Sequence, residues 1–298
     1  MHAIILAQDF ESYSTKRLAD GLQFRGHQVT LVSPLHCTLR IDGESSAVVC
    51  AGQALPAADL VLPRCASLTS FGLTVVRHFE AAVALQLQMA GARCVNDPQA
   101  KLLAHDKFLS LQVLDAAGIP VPASYLTWDS DALDEIVGDR LGTPLVLKTV
   151  QGTWGVGVMR ADSPVAARST FETLHSMNQV VLAQRYVAEA AGQDVRAMVV
   201  GQRVVGAFRR TAPPGEFRAN IHRGAEPEMV RLPAEVQALA VAATRALGLE
   251  LAGVDLLETS GGPLLIEINP SPGWKQIERL SDTDVAGAIV SYLEDTAR

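Results

Sequence analysis

Near the end of the sequence three polar side chains interrupt two apolar runs. They are Asp255 in Ala252-Gly253-Val254-Asp255, and Glu267 and Asn269 in Leu264-Leu265-Ile266-Glu267-Ile268-Asn269. Strand alternation puts Glu267 and Asn269 on one face, and a hairpin turn at Ser260-Gly261-Gly262 brings Asp255 beside them. An Asp, a Glu and an Asn make a hard-oxygen set suited to Mg²⁺, which takes few protein ligands and keeps positions open for phosphate oxygens and water. The bland alternative is a hairpin with one solvated polar side. Carboxylates embedded in apolar strands and followed at once by the turn Pro270-Ser271-Pro272-Gly273 favour the metal.

A second set begins at Lys148, which follows the apolar run Leu145-Val146-Leu147 and precedes Gln151-Gly152-Thr153-Trp154-Gly155-Val156-Gly157-Val158. Glycines at 152, 155 and 157 let backbone amides approach an anion and let the loop close over phosphates, while the lysine supplies a flexible point charge. No Lys-Ser or Lys-Thr follows the last glycine, so this is not a Walker A loop. A structural hairpin would explain the glycines alone; the lysine and the distant carboxylates together favour nucleotide phosphate. Farther on, Phe217-Arg218-Ala219-Asn220-Ile221-His222-Arg223-Gly224 gathers two arginines, an amide and an imidazole. With Arg196 and Lys148 this stretch can neutralise a phosphoryl group during transfer. A solvated basic loop is the competing reading, and His222 alone is more often a structural hydrogen-bonder than a catalyst. Arg64 and Lys16 are weaker candidates for ligand contact.

Strand and helix alternate through the N-terminal third. Strands are expected over 2–7, 29–32, 60–63 and 93–95, with helices over 12–25 and 74–89. That is a Rossmann-like α/β layer, but no GxGxxG follows the first strand, so dinucleotide binding in the usual manner loses its support. Asn96-Asp97-Pro98 reads as a boundary turn. A helix is expected over 101–117, then a small mixed unit: a strand over 145–150, the glycine loop, a helix from Ser163-Pro164 to Met177, and a strand over 180–183. The remainder reads as α+β, with antiparallel hairpins 195–200 with 203–208 and 253–257 with 264–268. A helix opened by Pro233 lies between them, and a last helix spans 282–293.

With 298 residues, 48% of them hydrophobic and 19% charged, the chain has a foldable globular composition. Its net charge of −7 favours solubility and argues against a large non-specific nucleic-acid surface. Every apolar run is broken before the roughly 18 to 20 residues of a membrane helix. The opening MHAIILAQDF has no basic leader, so a cytoplasmic location is expected. Cys37, Cys50, Cys65 and Cys94 are too widely spaced for a CxxC knuckle, and reduced core thiols are expected over a disulfide or zinc role.

In this order the motifs resemble the ATP-grasp superfamily, and specifically the RimK-like alpha-L-glutamate ligases, of which the best known adds glutamates to the carboxyl terminus of ribosomal protein S6. The resemblance spans nearly the whole chain. It rests on Tyr13-Ser14-Thr15-Lys16-Arg17-Leu18, Pro63-Arg64, His105-Asp106-Lys107, Lys148 with its loop, and Asp194-Val195-Arg196. It continues through the Arg218 stretch, Ala252 to Asp255, and Glu267-Ile268-Asn269-Pro270-Ser271-Pro272-Gly273. It implies an ATP-grasp fold with a Rossmann-like pre-ATP-grasp domain at 1–97, a central subdomain with the lid loop at 98–185, and a C-terminal subdomain at 186–298. ATP would lie between the last two.

By the same resemblance, Lys107 and Lys148 would approach the ATP phosphates under a lid of Gly152, Thr153, Trp154, Gly155 and Gly157. Gln184, Arg185 and Tyr186 would border adenine, Asp194 the ribose, and Ala219 and Asn220 the nucleotide. Arg196, Arg218 and His222 would serve the phosphate or acyl intermediate, and Asp255, Glu267 and Asn269 would hold two Mg²⁺ ions, with Mn²⁺ as a substitute. The implied reaction has a carboxylate attack the γ-phosphate of ATP, and an amino-acid amine then attack the acylphosphate.

L-Glutamate added to a protein or peptide carboxyl terminus is the leading expectation. Another amino acid, a small-molecule carboxylate, and a nucleotide-binding regulator without turnover are the alternatives; the retained carboxylates speak against the regulator. A homodimer or homotetramer is expected by resemblance, without membrane or direct nucleic-acid contact. Two departures bear on specificity: Gln184-Arg185-Tyr186 stands where relatives carry Gln-Glu-Tyr, and Trp274-Lys275-Gln276 puts a bulky ring and a cation where a substrate pocket is expected.

Overall fold

The computed structural model describes residues 1–43, 46–65, 73–152 and 154–297. The chain opens with β1 (His2–Leu6), α1 (Tyr13–Phe24) and β2 (Gln28–Val32). A three-stranded antiparallel meander follows, β3 (Cys37–Ile41), β4 (Ser46–Cys50) and β5 (Gln53–Ala54), which the sequence pattern did not announce. Its strands run from two to five residues and are partly exposed, too short for alternation to register. Then come β6 (Leu60–Pro63), α2 (Leu73–Met89) and β7 (Arg93–Cys94), completing a parallel sheet of order β2-β1-β6-β7. Strand β1 is apolar on both faces because both are covered: Ala3 and Ile5 enter one core cluster, Ile4 and Leu6 another. The four cysteines are free.

The helix expected over 101–117 is two helices, α3 (Pro98–His105) and α4 (Lys107–Ala116). Asp106 makes the break. Its backbone is extended, and its carboxylate accepts from the amides of Phe108 and Leu109 as the cap of α4. The apolar period runs through both helices, which is why the interruption was invisible to it. Asn96, expected in a boundary turn, is buried. Its amide nitrogen donates to the carbonyls of Leu251 (2.7 Å) and Pro270 (2.8 Å), and its oxygen accepts from the amides of Glu250 and Leu251.

Strands β8 (Ser124–Thr127), β9 (Leu145–Thr149), β10 (Val158–Ala161) and β11 (Val181–Arg185) form an antiparallel sheet of order β10-β9-β11-β8, backed by α5 (Ser130–Glu135) and α6 (Pro164–Ser176). Alternation divides β9 cleanly: Leu145 and Leu147 enter the core beside Phe171, leaving Val146 and Lys148 on the other face.

The last sheet has the order β14-β13-β12-β15-β16. It comprises β12 (Gln193–Val200), β13 (Arg203–Thr211), β14 (Glu226–Met229), β15 (Leu251–Leu257) and β16 (Leu264–Asn269), with α7 (Ala234–Ala246) packed on it. Both expected hairpins are present. Helices α8 (Lys275–Leu280) and α9 (Val285–Asp295) return the chain to its start. Ile289 and Leu293 of α9 share a buried cluster with Ala3, Leu18 and Leu22, and with Met198, Phe208 and Trp274.

Candidate functional site

The central and last sheets face each other across a cleft of about 870 Å³, lined by Lys107, Lys148, Gln184, Asp194, Arg218 and Glu267 among others. It also collects Gly152, Trp154, Gly155, Arg185, Tyr186, Ala219, Asn220 and Asp255. Residues scattered over more than a hundred positions of sequence thus meet on one surface. Gly157 stands in the loop beside the cleft, and Thr153 lies outside the described residues.

Sheet register explains the meeting. Lys148 and Gln184 sit on the same face of paired strands, and the lysine Nζ donates to the Gln184 Oε1 at 2.7 Å. Burial depresses the Lys148 ammonium to about 8. Lys107, first residue of α4, has its amide on the Val150 carbonyl, while its Nζ reaches the Gly152 carbonyl and Glu267 Oε1, each at 3.3 Å. The break at Asp106 is what aims this lysine.

On the opposite wall Asp255 faces Glu267 across β15 and β16, with Gly253 opposite Asn269. Asp255 is buried and accepts both ends of the Arg196 guanidinium (2.7 and 2.6 Å), with Arg210 Nη2 at 2.9 Å. Burial opposes its ionisation, yet the two guanidiniums bring its carboxyl down to about 2. Arg210 also spans Asp194 (2.5 and 2.7 Å), so Asp194 is held by an arginine from within the wall, and burial beside the Asp255 carboxylate pushes its carboxyl upward.

The donor set fits a hard divalent cation. Asp255, Glu267 and Asn269 present oxygens from registered positions, and each carboxylate draws a cation: Arg196 and Arg210 onto Asp255, Lys107 onto Glu267. Among the described residues no three carboxylate, imidazole or thiolate side chains gather; the third oxygen expected of the set, the Asn269 amide, accepts from the Ser271 amide.

The glycine loop packs closely on the Arg218 stretch. Arg218 is pinned by Glu216 (2.7 Å) and donates to the carbonyls of Gly155 (3.3 Å) and Val158 (3.1 Å). The bond from Arg218 pulls Glu216 down to about 2. Arg223 reaches the carbonyls of Trp154 and Gly155, and the His222 ring lies tilted against Trp154 with centroids 4.7 Å apart. Gly155 has φ +69°, and a Cβ there would lie 2.4 Å from Asn220 Oδ1, so only glycine allows this approach.

A second cavity of about 1620 Å³ adjoins the first and shares Gly152, Trp154, Arg210, Asn220 and Glu267 with it. Arg196, His222 and Asn269 line this one, together with Arg64, Lys275 and Gln276. Trp274 does not: it is fully buried in the core, and the expected bulky ring at the pocket instead carries the Arg64 guanidinium 4.9 Å above it. Lys16 lies outside both cavities, paired with Glu11 on the surface. Arg210 and Arg77, both buried wall residues, were missed by the sequence reading. The pair Arg209-Arg210 carried a signal in its alternation, since only one of two successive strand residues can face the cleft.

Residues 1–100 match the RimK pre-ATP-grasp domain and residues 104–293 the RimK-like ATP-grasp domain. The chain is 42% identical over 301 residues to a protein of Picosynechococcus sp. (strain ATCC 27264 / PCC 7002 / PR-6) named probable alpha-L-glutamate ligase, covering 100% of this chain and 96% of that relative. It is 40% identical over 299 residues to a protein of the same name from Thioalkalivibrio sulfidiphilus, covering 100% and 97%. Among solved structures it is similar to the RimK domain ATP-grasp protein of Sphaerobacter thermophilus, with TM-score 0.74, 24% identity, and 98% and 99% of the two chains covered. It is also similar to the ATP-grasp ligase PsnB complexed with a phosphomimetic variant of its minimal precursor, Mg and ADP, with TM-score 0.74, 22% identity, and 100% and 99% covered. At these identities the two structures show a shared ATP-grasp fold.

Proposed function

The chain belongs to the RimK-like ATP-grasp family, and from that premise we propose that it joins L-glutamate through its amine to the carboxyl terminus of a protein or peptide. It is an ATP-dependent carbon–nitrogen ligase, and the finer assignment concerns its two substrates. The observation that carries the reading is the pair of cavities sharing one wall: the first holds the lysines, glycine loop and carboxylates, and the second opens from Glu267 and Asn220.

Lys107 and Lys148 place two ammonium groups where phosphate charge would collect, and Arg218 ties the glycine loop over them. Asp255, Glu267 and Asn269 are the residues that would hold Mg²⁺, as two ions with Mn²⁺ in exchange. A bound ion supplies neutralising charge to the phosphate oxygens. No side chain is required as a nucleophile. A carboxylate in the second cavity meets the γ-phosphate at the shared wall, and the acylphosphate passes to the amine in the same space. The closed loop excludes the water that would otherwise hydrolyse it. Arg196 and His222 line that space and would orient the acyl group. Ribosomal protein S6 is one candidate acceptor by family likeness. No helix among the described residues is long and apolar enough to cross a membrane.

The test is a mass-resolved assay with ATP, Mg²⁺, the twenty amino acids, and a panel of peptide, protein and small-molecule carboxylates. An acceptor gaining one or more glutamate residues, with ADP released, is the expected result. Incorporation of another amino acid would overturn the glutamate assignment and leave the ligase chemistry standing. Lys275 and Gln276 in the second cavity are the residues to examine in that case.

A further inference from the structure

The second cavity has a basic end that the phosphoryl chemistry does not use. Arg64, directly after β6, and Arg77, on α2, both line it and are 8% and 7% exposed. Neither makes an ion pair among the described residues. Arg64 Nη2 donates to the Pro272 carbonyl at 2.7 Å, whereas Arg64 Nε, Arg77 Nη1, His105 Nε2 and Gln276 Oε1 have no hydrogen-bond partner among the described residues. All four side chains line this cavity, and none lines the first.

The nearby Glu80 does not settle the charge. It accepts from Lys101 Nζ at 2.8 Å and from the Cys65 amide at 2.7 Å, and Glu267, which also lines the cavity and draws Arg77 more than Glu80 does, is paired with Lys107, so each carboxylate already answers a lysine. The surplus has a signature in its neighbour: burial first, then Arg77, Lys101 and Lys107, hold the His105 imidazole well below its ordinary range. Buried guanidiniums without a carboxylate are costly unless an anion completes them. The cavity they line is where such an anion would enter.

We propose that Arg64 and Arg77, with Gln276 beside them, form a subsite for a carboxylate of the incoming amino acid, contributed by the N-terminal layer. The inference rests on the ligase reading and names how its amine substrate is held. An amino acid that reacts through its amine keeps its carboxylate unchanged, so that group needs a place away from the transferring phosphate. The reacting carboxylate of the acceptor belongs instead at the wall shared with Glu267. Planar guanidiniums suit the first task because they grip a carboxylate at two points.

The experiment titrates L-glutamate into the full chain loaded with Mg²⁺ and a non-hydrolysable ATP analogue, for the natural protein and for Arg77→Gln and Arg64→Gln. The dissociation constant for glutamate is expected to rise about 10- to 100-fold in each variant, with nucleotide affinity changed by less than about 3-fold. Glutamine and the α-amide of glutamate then tell which of the two carboxylates is held. Arg64 also packs on Trp274, so if Arg64→Gln fails to fold, Arg77→Gln decides alone. Unchanged glutamate affinity in Arg77→Gln overturns the proposal, as does weakened acceptor binding with glutamate unaffected. If glutamate does not bind the natural protein, the other nineteen amino acids are titrated, and binding by none of them also overturns it. Glutamate bound with the expected arginine dependence, but no ligation in the mass assay, sinks the glutamate-ligase reading and leaves the subsite standing.

Discussion

At the scale of single residues, the site is a balance of buried charge. Asp255 holds two guanidiniums, so Asp255→Asn removes a hard donor and leaves Arg196 and Arg210 without their shared carboxylate. ADP production is expected to fall at least about 100-fold, measured by a coupled assay, and stability by about 3 kcal/mol in urea titration. Lys148 gives a pH signature. Burial lowers its ammonium from 10.5 to about 8, so the free protein carries this charge below that pH and loses it above. ADP affinity should therefore hold constant up to about pH 8 and then weaken by as much as about tenfold per unit, since phosphate attracts the protonated form. Lys148→Arg, which stays charged, should flatten the decline. Calorimetric titration of ADP from pH 7 to 9.5 is the check, and a flat profile in the natural protein would refute the role given to Lys148.

At the scale of elements, the glycine loop acts through what it touches. Its carbonyls at Trp154, Gly155 and Val158 are held by Arg218 and Arg223 from a segment sixty or more residues on. A methyl group at Gly155 would collide with Asn220 Oδ1 at 2.4 Å and crowd Arg223 Nε at 3.1 Å. Gly155→Ala is expected to keep the fold but hold the loop ajar. Amide formation should drop about tenfold or more while phosphate is still released, because water reaches the activated acyl group. The ratio of phosphate to ligated product measures this, and an unchanged ratio would remove the loop from the role of water-excluding lid.

For the whole molecule, the N-terminal layer is a structural partner of the catalytic sheets. Helix α9 packs on α1 within one buried cluster, and Asn96 joins the parallel sheet to β15 and the turn after β16 through four hydrogen bonds. Asn96→Ala leaves two carbonyls and two amides without that partner, and a loss of about 3 kcal/mol is expected. Urea unfolding followed by both fluorescence and circular dichroism would measure it. A cost under about 1 kcal/mol would show that the layers are held by apolar burial alone.

The hairpin carrying Asp255, Glu267 and Asn269, the strand ending near Lys148, and the alternation of the first sheet were legible in the sequence because each depends on local period and turn chemistry. The two-residue β5 and the cap at Asp106 were not, since a very short strand has no period and a carboxylate cap leaves the apolar pattern unbroken. That Lys148, Asp255 and Glu267 would line one cleft, with Asn269 in the cavity beside it, was legible only from the order of motifs along the whole chain. The pairing of Arg210 with two carboxylates, the burial of Trp274 under Arg64, and the meeting of Arg77 and Gln276 in one cavity across some two hundred positions were decided only by tertiary structure. Sequence patterns report which face of an element is apolar. What stands opposite a buried charge is set by how sheets and helices pack, and on that depends whether the charge is already answered within the protein or left for a substrate.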